Sequence, residues 1–118
     1  MAYMLLIHEP VGQRATRTQA EGEAVFQQMV DWGKSLRDRD VLLGGESLAT
    51  PDGRAAKVQV RGGKSQVIDG PFAEAKEMVG GFFLLNCKTR AEAVAIAATC
   101  PAAEWATVEV RETAPCFA

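Results

Sequence analysis

The chain has 118 residues, of which 47% are hydrophobic and 24% are charged, and its formal net charge at pH 7 is -2. This length supports one domain with a hydrophobic core, which we place over residues 1–118, and it is too short for two ordinary domains. The charges are mixed along the chain without a block of Lys and Arg, so the composition argues against direct nucleic-acid binding.

The first ten residues, MAYMLLIHEP, contain an apolar run that is much shorter than a membrane span. The run lacks the basic start and the small-residue cleavage site of a signal peptide, so we expect a cytoplasmic protein that does not enter a membrane. Cys87, Cys100 and Cys116 are odd in number and form no C-x-x-C pair, which favours reduced thiols with a structural role.

The first half of the chain predicts a strand followed by a helix. Ala2–Ile7 is an apolar run of strand length, and we expect Pro10 to discourage further pairing. Residues 18–21, TQAE, have the form of a capping box and predict a helix start at Thr18. Four apolar residues follow at helical spacing and predict a core-facing stripe: Val25, Met29, Trp32 and Leu36.

A second strand and a hairpin follow this helix. Val41–Leu48 reads as a strand that contains Gly44-Gly45, where we expect a bulge or a close approach of another backbone. Residues 57–61 alternate between polar and apolar side chains, Gly62-Gly63 supplies a tight turn, and Ser65–Ile68 returns. This segment predicts a β-hairpin.

The last third repeats the order of strand, helix and strand. Gly81–Cys87 reads as a buried strand, Thr89 begins a second capping box before an alanine-rich helix that Pro101 ends, and Thr107–Arg111 alternates as a final strand. The order predicts an α+β, ferredoxin-like βαββαβ fold with an inserted β-hairpin, an antiparallel sheet and both helices on one face. A second copy of the chain would cover the other face, so we expect a homodimer.

Residues 67–77, VIDGPFAEAKE, followed by Gly80-Gly81-Phe82, resemble the signature of the DGPF-domain branch of the YCII-related family. Other stretches fit the same family: Tyr3–Ile7, Gly44–Leu48, Cys100-Pro101 and Val108–Arg111. The resemblance implies a fold that pairs through its sheets, as in the dimeric α/β-barrel superfamily. It does not imply one activity, because that superfamily includes isomerases, lyases, monooxygenases and modules without known chemistry.

Charged residues near the DGPF signature form the main candidate site. Asp69, Glu74 and Lys76 lie on the connection into the third core strand, and Glu46 lies on the preceding core strand. If they converge on one pocket, like charges can raise the pKa of one carboxyl group while another stays ionised, which provides an acid and a base. In the alternative interpretation, Asp69 caps the turn through its own backbone, Glu74 and Lys76 are solvated or paired, and Glu46 neutralises a nearby arginine.

His8 is the single histidine, and it follows the first predicted strand. Its ordinary pKa suits a general base, but a histidine beside Glu9 at a strand end also fits a surface residue. Other YCII-related branches use a His-Asp pair at different sequence positions, and this chain does not reproduce that arrangement. One histidine without H-x-x-x-H predicts no metal site, and the absence of G-x-G-x-x-G and Walker patterns predicts no nucleotide cofactor.

Two classes of function remain open from the sequence, which leaves undecided whether the protein is an enzyme. The first is a small-molecule-binding protein or an acid/base enzyme, lyase- or isomerase-like, with a pocket near Glu46 and Asp69 and a small organic ligand. The catalytic candidates are His8, Glu46 and Asp69, and the substrate-binding candidates are Phe72, Glu74 and Lys76. The second is a non-catalytic regulatory or accessory module, because the resemblance implies association with an extracytoplasmic-function sigma factor.

Overall fold

The computed structural model of the protein describes residues 2–52, 54–69 and 75–118. Its strands and helices, in chain order, are β1 (Tyr3–Pro10), α1 (Gln19–Asp38), β2 (Leu42–Ser47), β3 (Ala56–Arg61), β4 (Lys64–Asp69), β5 (Glu77–Leu85), α2 (Arg90–Ala98) and β6 (Thr107–Glu112). Two short 3-10 turns, Arg14–Thr16 and Pro101–Glu104, precede α1 and β6 respectively.

Four strands form an antiparallel sheet in the order β2, β5, β1, β6. The central strand β1 pairs on both sides, with Leu5 opposite Phe83 of β5 and opposite Val110 of β6. Strands β3 and β4 pair only with each other, as a hairpin inserted between β2 and β5. The predicted βαββαβ fold with an inserted hairpin is therefore confirmed.

Both helices pack on the same face of this sheet. Tyr3, Leu5 and Ile7, at alternate positions of β1, are buried in one hydrophobic core with residues of both helices. The helical members of this core are Trp32 and Leu36 of α1 and Ala93, Ile96 and Ala97 of α2. Because successive side chains of a strand point to opposite faces, Met4, Leu6 and His8 lie on the other side, which we call the open face.

Strand β1 does not end at Ile7, as the proline led us to expect, but continues to Pro10, which lies opposite Glu77 of β5. The next amide, that of Val11, donates to the carbonyl of Lys76 (2.9 Å), so the nitrogen of Pro10 faces away from β5. On that side β6 pairs only as far as His8, and the missing N–H group costs no ladder bond. Because the last residues of β1 pair with β5, β5 begins at Glu77, earlier than the predicted start at Gly81.

The predicted helix starts are confirmed, with different degrees of capping. At Thr18 the hydroxyl accepts from the amide of Glu21 (3.2 Å), and the Glu21 carboxylate accepts from the amide of Thr18 (2.9 Å). These bonds lower the pKa of Glu21, with the backbone hydrogen bond from Thr18 as the largest cause. At Thr89 the hydroxyl accepts from Glu92, but the Glu92 carboxylate accepts from the amide of Lys88 instead.

Glycines allow two close backbone features that the sequence indicated. Gly62 and Gly63 both have positive φ, 58° and 76°, which is the conformation that a two-residue hairpin turn requires. In β2 the register shifts between Leu42 and Gly44, which is a bulge-like irregularity. A Cβ atom on Gly45 would lie 2.7 Å from the carbonyl oxygen of Phe82, so both the bulge and the close approach occur here.

The cysteines separate into two groups. Cys87 and Cys100 are buried free thiols in the core. The pKa of each thiol is raised, and burial is the largest cause. A raised pKa keeps these thiols protonated and unreactive, as expected of structural residues. Cys116 is exposed near the end of the chain, so the structural interpretation does not extend to it.

Neither described helix is both long and apolar enough to cross a membrane.

We expect Thr18→Ala and Thr89→Ala each to lower the free energy of unfolding by about 1 kcal/mol, because each change removes a hydroxyl that accepts from the first turn of a helix. Urea unfolding followed by circular dichroism measures both losses. Thr18→Ser and Thr89→Ser keep the hydroxyl and serve as controls. Two alanine variants as stable as the parent protein would contradict this role of the caps.

Candidate functional site

A groove with a volume of about 490 Å³ lies between α1 and the sheet. Strands β1, β2 and β5 form its floor, and α1 forms its wall from Gly22 to Arg37, which corresponds to roughly 22 Å at 1.5 Å per residue. The chain just before β6, at Ala102 and Trp105, closes the groove near the start of α1. The groove opens along β2, which is an edge strand of the sheet.

Most of the groove wall is apolar. The apolar residues that line it are Ile7, Val25, Phe26, Met29, Val30, Leu42, Phe83 and Trp105. Phe83 is fixed by Trp32, with ring centroids 5.0 Å apart in an edge-to-face arrangement. Gly33 of α1 also lies beside this ring, and a Cβ atom there would make an ordinary van der Waals contact of 3.7 Å with Cε1 of Phe83.

One end of the groove holds an ion pair between a buried carboxylate and a partly exposed guanidinium. Glu9 is only 5% exposed, and its Oε1 accepts a hydrogen bond of 2.6 Å from Nε of Arg14. The same guanidinium donates through Nη1 to the carbonyl of Leu48 (2.7 Å) and through Nη2 to the carbonyl of Gly80 (3.2 Å). A buried carboxylate without such a partner is strongly unfavourable, so Arg14 both stabilises and orients the charge of Glu9.

Gly80 and Gly81 create the space for this arrangement. A Cβ atom on Gly80 would lie 2.7 Å from Cδ of Glu9 and 2.9 Å from Nη2 of Arg14, closer than any real contact allows. A Cβ atom on Gly81 would lie 3.0 Å from the carbonyl oxygen of Glu46, so this glycine brings β2 close to β5. Gly80 and Gly81, which follow the DGPF signature in the sequence, therefore form part of the floor of the groove.

Three more cations line the groove: Arg17, Lys34 and Arg37. Arg17 is half-buried, and its guanidinium carbon lies 5.7 Å from the ring centroid of Trp105, within range of a cation–π interaction. Within residues 2–52, 54–69 and 75–118, none of the three forms an ion pair with a carboxylate. Lys34 and Arg37 are exposed.

Glu46 lines the groove, but its position in the sheet limits what it contributes. It lies opposite Phe82, whereas Phe83, which faces α1, lies opposite Gly45. Because opposite residues of paired strands share a face, the side chain of Glu46 belongs to the open face. Glu46 therefore offers the groove its main chain, in agreement with the close approach of its carbonyl oxygen to Gly81.

His8 also lies on the open face, outside the groove. Its Nε2 atom is 2.8 Å from Oε1 of Glu109 on β6, and both side chains are partly exposed. The structure thus places His8 and Glu46 on one face of the sheet, but on strands separated by β5. It does not bring them together with the groove residues.

The remaining predicted residues lie near the hairpin and the start of β5. Asp69 ends β4 at an exposed position opposite Ala56, and it is not among the residues that line the groove. Lys76 is exposed and is held through its backbone carbonyl by Val11. Phe72 and Glu74 lie outside the described residues, so their predicted roles stay predictions.

The sequence reasoning missed Glu9 and Arg14, although one signal for Glu9 was present. Tyr3, Leu5 and Ile7 alternate toward the core, and the next position in this period of two is Glu9. A carboxylate on the core-facing side of a strand requires a partner, which the same reasoning would have sought among nearby cations.

In the described parts of the chain, no group of three or more His, Cys, Asp and Glu side chains is arranged to hold a metal ion.

Comparisons with known proteins agree with this architecture. Residues 1–116 match the YCII-related domain family. An uncharacterised protein of Rhizobium meliloti (strain 1021) is 35% identical over 78 residues, which cover 66% of this chain and 56% of that protein. The chain therefore spans little more than half the length of this curated relative.

A solved structure also shares the fold. The 5-chloro-2-hydroxyhydroquinone dehydrochlorinase of Burkholderia phenoliruptrix AC1100, in complex with 2,5-dihydroxybenzoquinone, superposes with a TM-score of 0.55. The match covers 97% of this chain and 94% of the enzyme at 11% sequence identity. At this identity the likeness establishes a common fold alone.

We expect Gly80→Ala to lower the free energy of unfolding by about 2 kcal/mol, because its methyl group would overlap the carboxylate of Glu9 and the guanidinium of Arg14. Gly44→Ala is a matched control on the neighbouring strand, since a Cβ atom there meets nothing within 4 Å. Chemical denaturation of the two variants measures the difference. Equal stability would mean that the ion pair does not need the space at Gly80.

Proposed function

This chain belongs to the YCII-related family, and from that premise we propose that it binds a small organic molecule in the groove between α1 and the sheet and acts on it by acid/base chemistry. The observation that carries the proposal is the groove itself, which combines apolar walls with one buried, oriented carboxylate. Ligand sites are typically concave and mostly apolar, with a few placed polar groups.

Glu9 is the proposed proton acceptor. Arg14 holds its carboxylate in one orientation through Oε1, and the apolar walls limit the access of water to this end of the groove. A carboxylate in such a position can take a proton from a ligand and return it at another atom, which is the step that isomerases and lyases share. The predicted candidates His8 and Asp69 do not line this groove, so the proposal assigns them no direct part in this step.

The structural neighbour supports the size and type of the proposed ligand. Its name describes an enzyme that acts on a chlorinated hydroxyhydroquinone, and its complex contains a substituted benzoquinone. We therefore place small aromatic compounds first among the ligands of this chain. The sigma-factor association stays a prediction, because no feature of the described residues favours it.

We also propose that two copies of the chain pair through the open face. Met4 and Leu6 of β1 lie opposite Leu84 and Phe82 of β5 on this face, which packs against neither helix. Contiguous apolar surface of this kind is typical of protein interfaces, and a second copy covers it symmetrically. A homodimer of this type keeps each groove on the outer, helical side.

The groove proposal is tested by filling the groove. Gly22 lies in α1, and a Cβ atom there meets nothing within 4 Å, so Gly22→Leu should occupy the groove without disturbing the helix. We expect this variant to bind 2,5-dihydroxybenzoquinone at least about tenfold more weakly than the parent protein, measured by isothermal titration calorimetry. Ala24→Leu, at an exposed position of α1 outside the groove, should bind as the parent does.

Absence of binding by the parent protein would contradict this proposal. So would equal affinities of the parent protein, Gly22→Leu and Ala24→Leu, because binding would then occur elsewhere.

The dimer proposal is tested by sedimentation at micromolar concentration. We expect the parent protein to sediment at twice the chain mass of 12.7 kDa. Leu6→Glu places a charge in the middle of the open face and should shift the population toward monomer. Val94→Glu, at an exposed position of α2, is the control and should remain dimeric. A parent protein that sediments as a monomer would contradict the proposal.

A further inference from the structure

The charge of the groove is opposite to that of the whole chain. Its lining residues include four cations, Arg14, Arg17, Lys34 and Arg37. Two acidic residues line the groove, but Glu46 presents its main chain there. Glu9 therefore supplies the carboxylate among the described lining residues. The chain as a whole carries a formal charge of -2, so positive charge is concentrated where a ligand would enter.

Three of these four cations are accounted for without a ligand, by bonds within the protein or by solvent. Arg14 is bound to Glu9 and to two backbone carbonyls. Arg37 lies in the last turn of α1, where a cation interacts favourably with the helix dipole, and Lys34 lies one turn earlier; both are exposed to solvent. Their positions therefore say little about what the groove binds.

Arg17 differs from these three, because its interactions with the Trp105 ring and with the charge of Glu21 leave its guanidinium without a direct ion pair among the described residues. It is half-buried, it precedes the start of α1, and in the described part of the chain its side chain pairs with no carboxylate. The hydrogen bonds from Thr18 are the largest causes that lower the pKa of the nearby Glu21, and the charge of Arg17 is the smallest, so this carboxylate is bound to Thr18 and couples only weakly to Arg17. A partly desolvated guanidinium gains from an anionic partner, and the groove lies directly beside it.

The neighbour of Arg17 defines the shape of the rest of the ligand. Arg17 lies over the ring of Trp105, and the backbone carbonyl of Trp105 accepts from Nε2 of Gln13 (2.8 Å), which holds the main chain that carries the indole. Other residues that line the same groove are apolar, among them Ile7, Met29 and Phe83. An acid group at Arg17 would place the attached body against these walls and within the groove that also contains Glu9.

We infer that the groove selects an organic anion, with an acid group bound by Arg17 and a flat apolar body held between α1 and the sheet. The ligand class is an aromatic carboxylate or an acidic phenol in its ionised form. This inference rests on the proposed function, because it names the substrate class of the same groove. It adds a specificity-determining residue, Arg17, which the sequence analysis did not single out.

The experiment compares 2,5-dihydroxybenzoate with its neutral isostere 2,5-dihydroxybenzamide by calorimetry. We expect the parent protein to bind the acid at least about tenfold more tightly than the amide, which is the scale of one charge-assisted hydrogen bond. Arg17→Gln should remove this preference and leave the affinity for the amide unchanged. Lys64→Gln, on the exposed hairpin, removes the same charge outside the groove and should keep the preference.

The outcomes separate the two proposals. If acid and amide bind equally to the parent protein, or if Arg17→Gln keeps the preference, and Gly22→Leu still blocks both ligands, the anion inference is wrong and groove binding stands. If neither compound binds but 2,5-dihydroxybenzoquinone binds and Gly22→Leu blocks it, the anion inference alone is wrong. If 2,5-dihydroxybenzoquinone does not bind either, or if Gly22→Leu binds the ligands as the parent does, the proposed function is overturned together with the inference.

Discussion

The bond between Arg14 and Glu9 is the interaction on which the rest of the site depends. One guanidinium binds a carboxylate of β1, a carbonyl just after β2 and a carbonyl of β5. It therefore connects three strands at the end of the groove that contains the buried carboxylate. The bond needs the extension of β1 beyond Ile7, because Glu9 lies in that extension, and it needs glycine at position 80 because no side chain fits beside the pair.

The alternation of β1 separates two sets of chemical groups. Glu9 follows the core-facing positions into the groove, while His8, one residue earlier, faces the opposite side and pairs with Glu109. Neighbouring residues in a strand cannot share a pocket on one face. These two neighbouring residues therefore serve different surfaces, the groove and the open face.

The groove stays open because glycines replace side chains along its floor and wall. Gly22 leaves free space on α1, and Gly45, Gly80 and Gly81 bring the strands close together without filling the cavity. The apolar stripe of α1 provides the wall, while its cations remain at the rim. This division gives an apolar interior beneath a positive entrance, and it explains why a chain with a net negative charge can favour an anion.

The sequence by itself determined the order of strands and helices, the capped helix starts at Thr18 and Thr89, and the hairpin turn at Gly62-Gly63, because each depends on neighbouring residues. It did not determine the candidate site. Only the pairing of β1 with β5 extended the strand through Pro10 and turned Glu9 toward Arg14, and only the pairing of β3 with β4 placed Asp69 in a hairpin outside the groove. These outcomes depend on strand register and on contacts between distant segments, which local patterns do not contain.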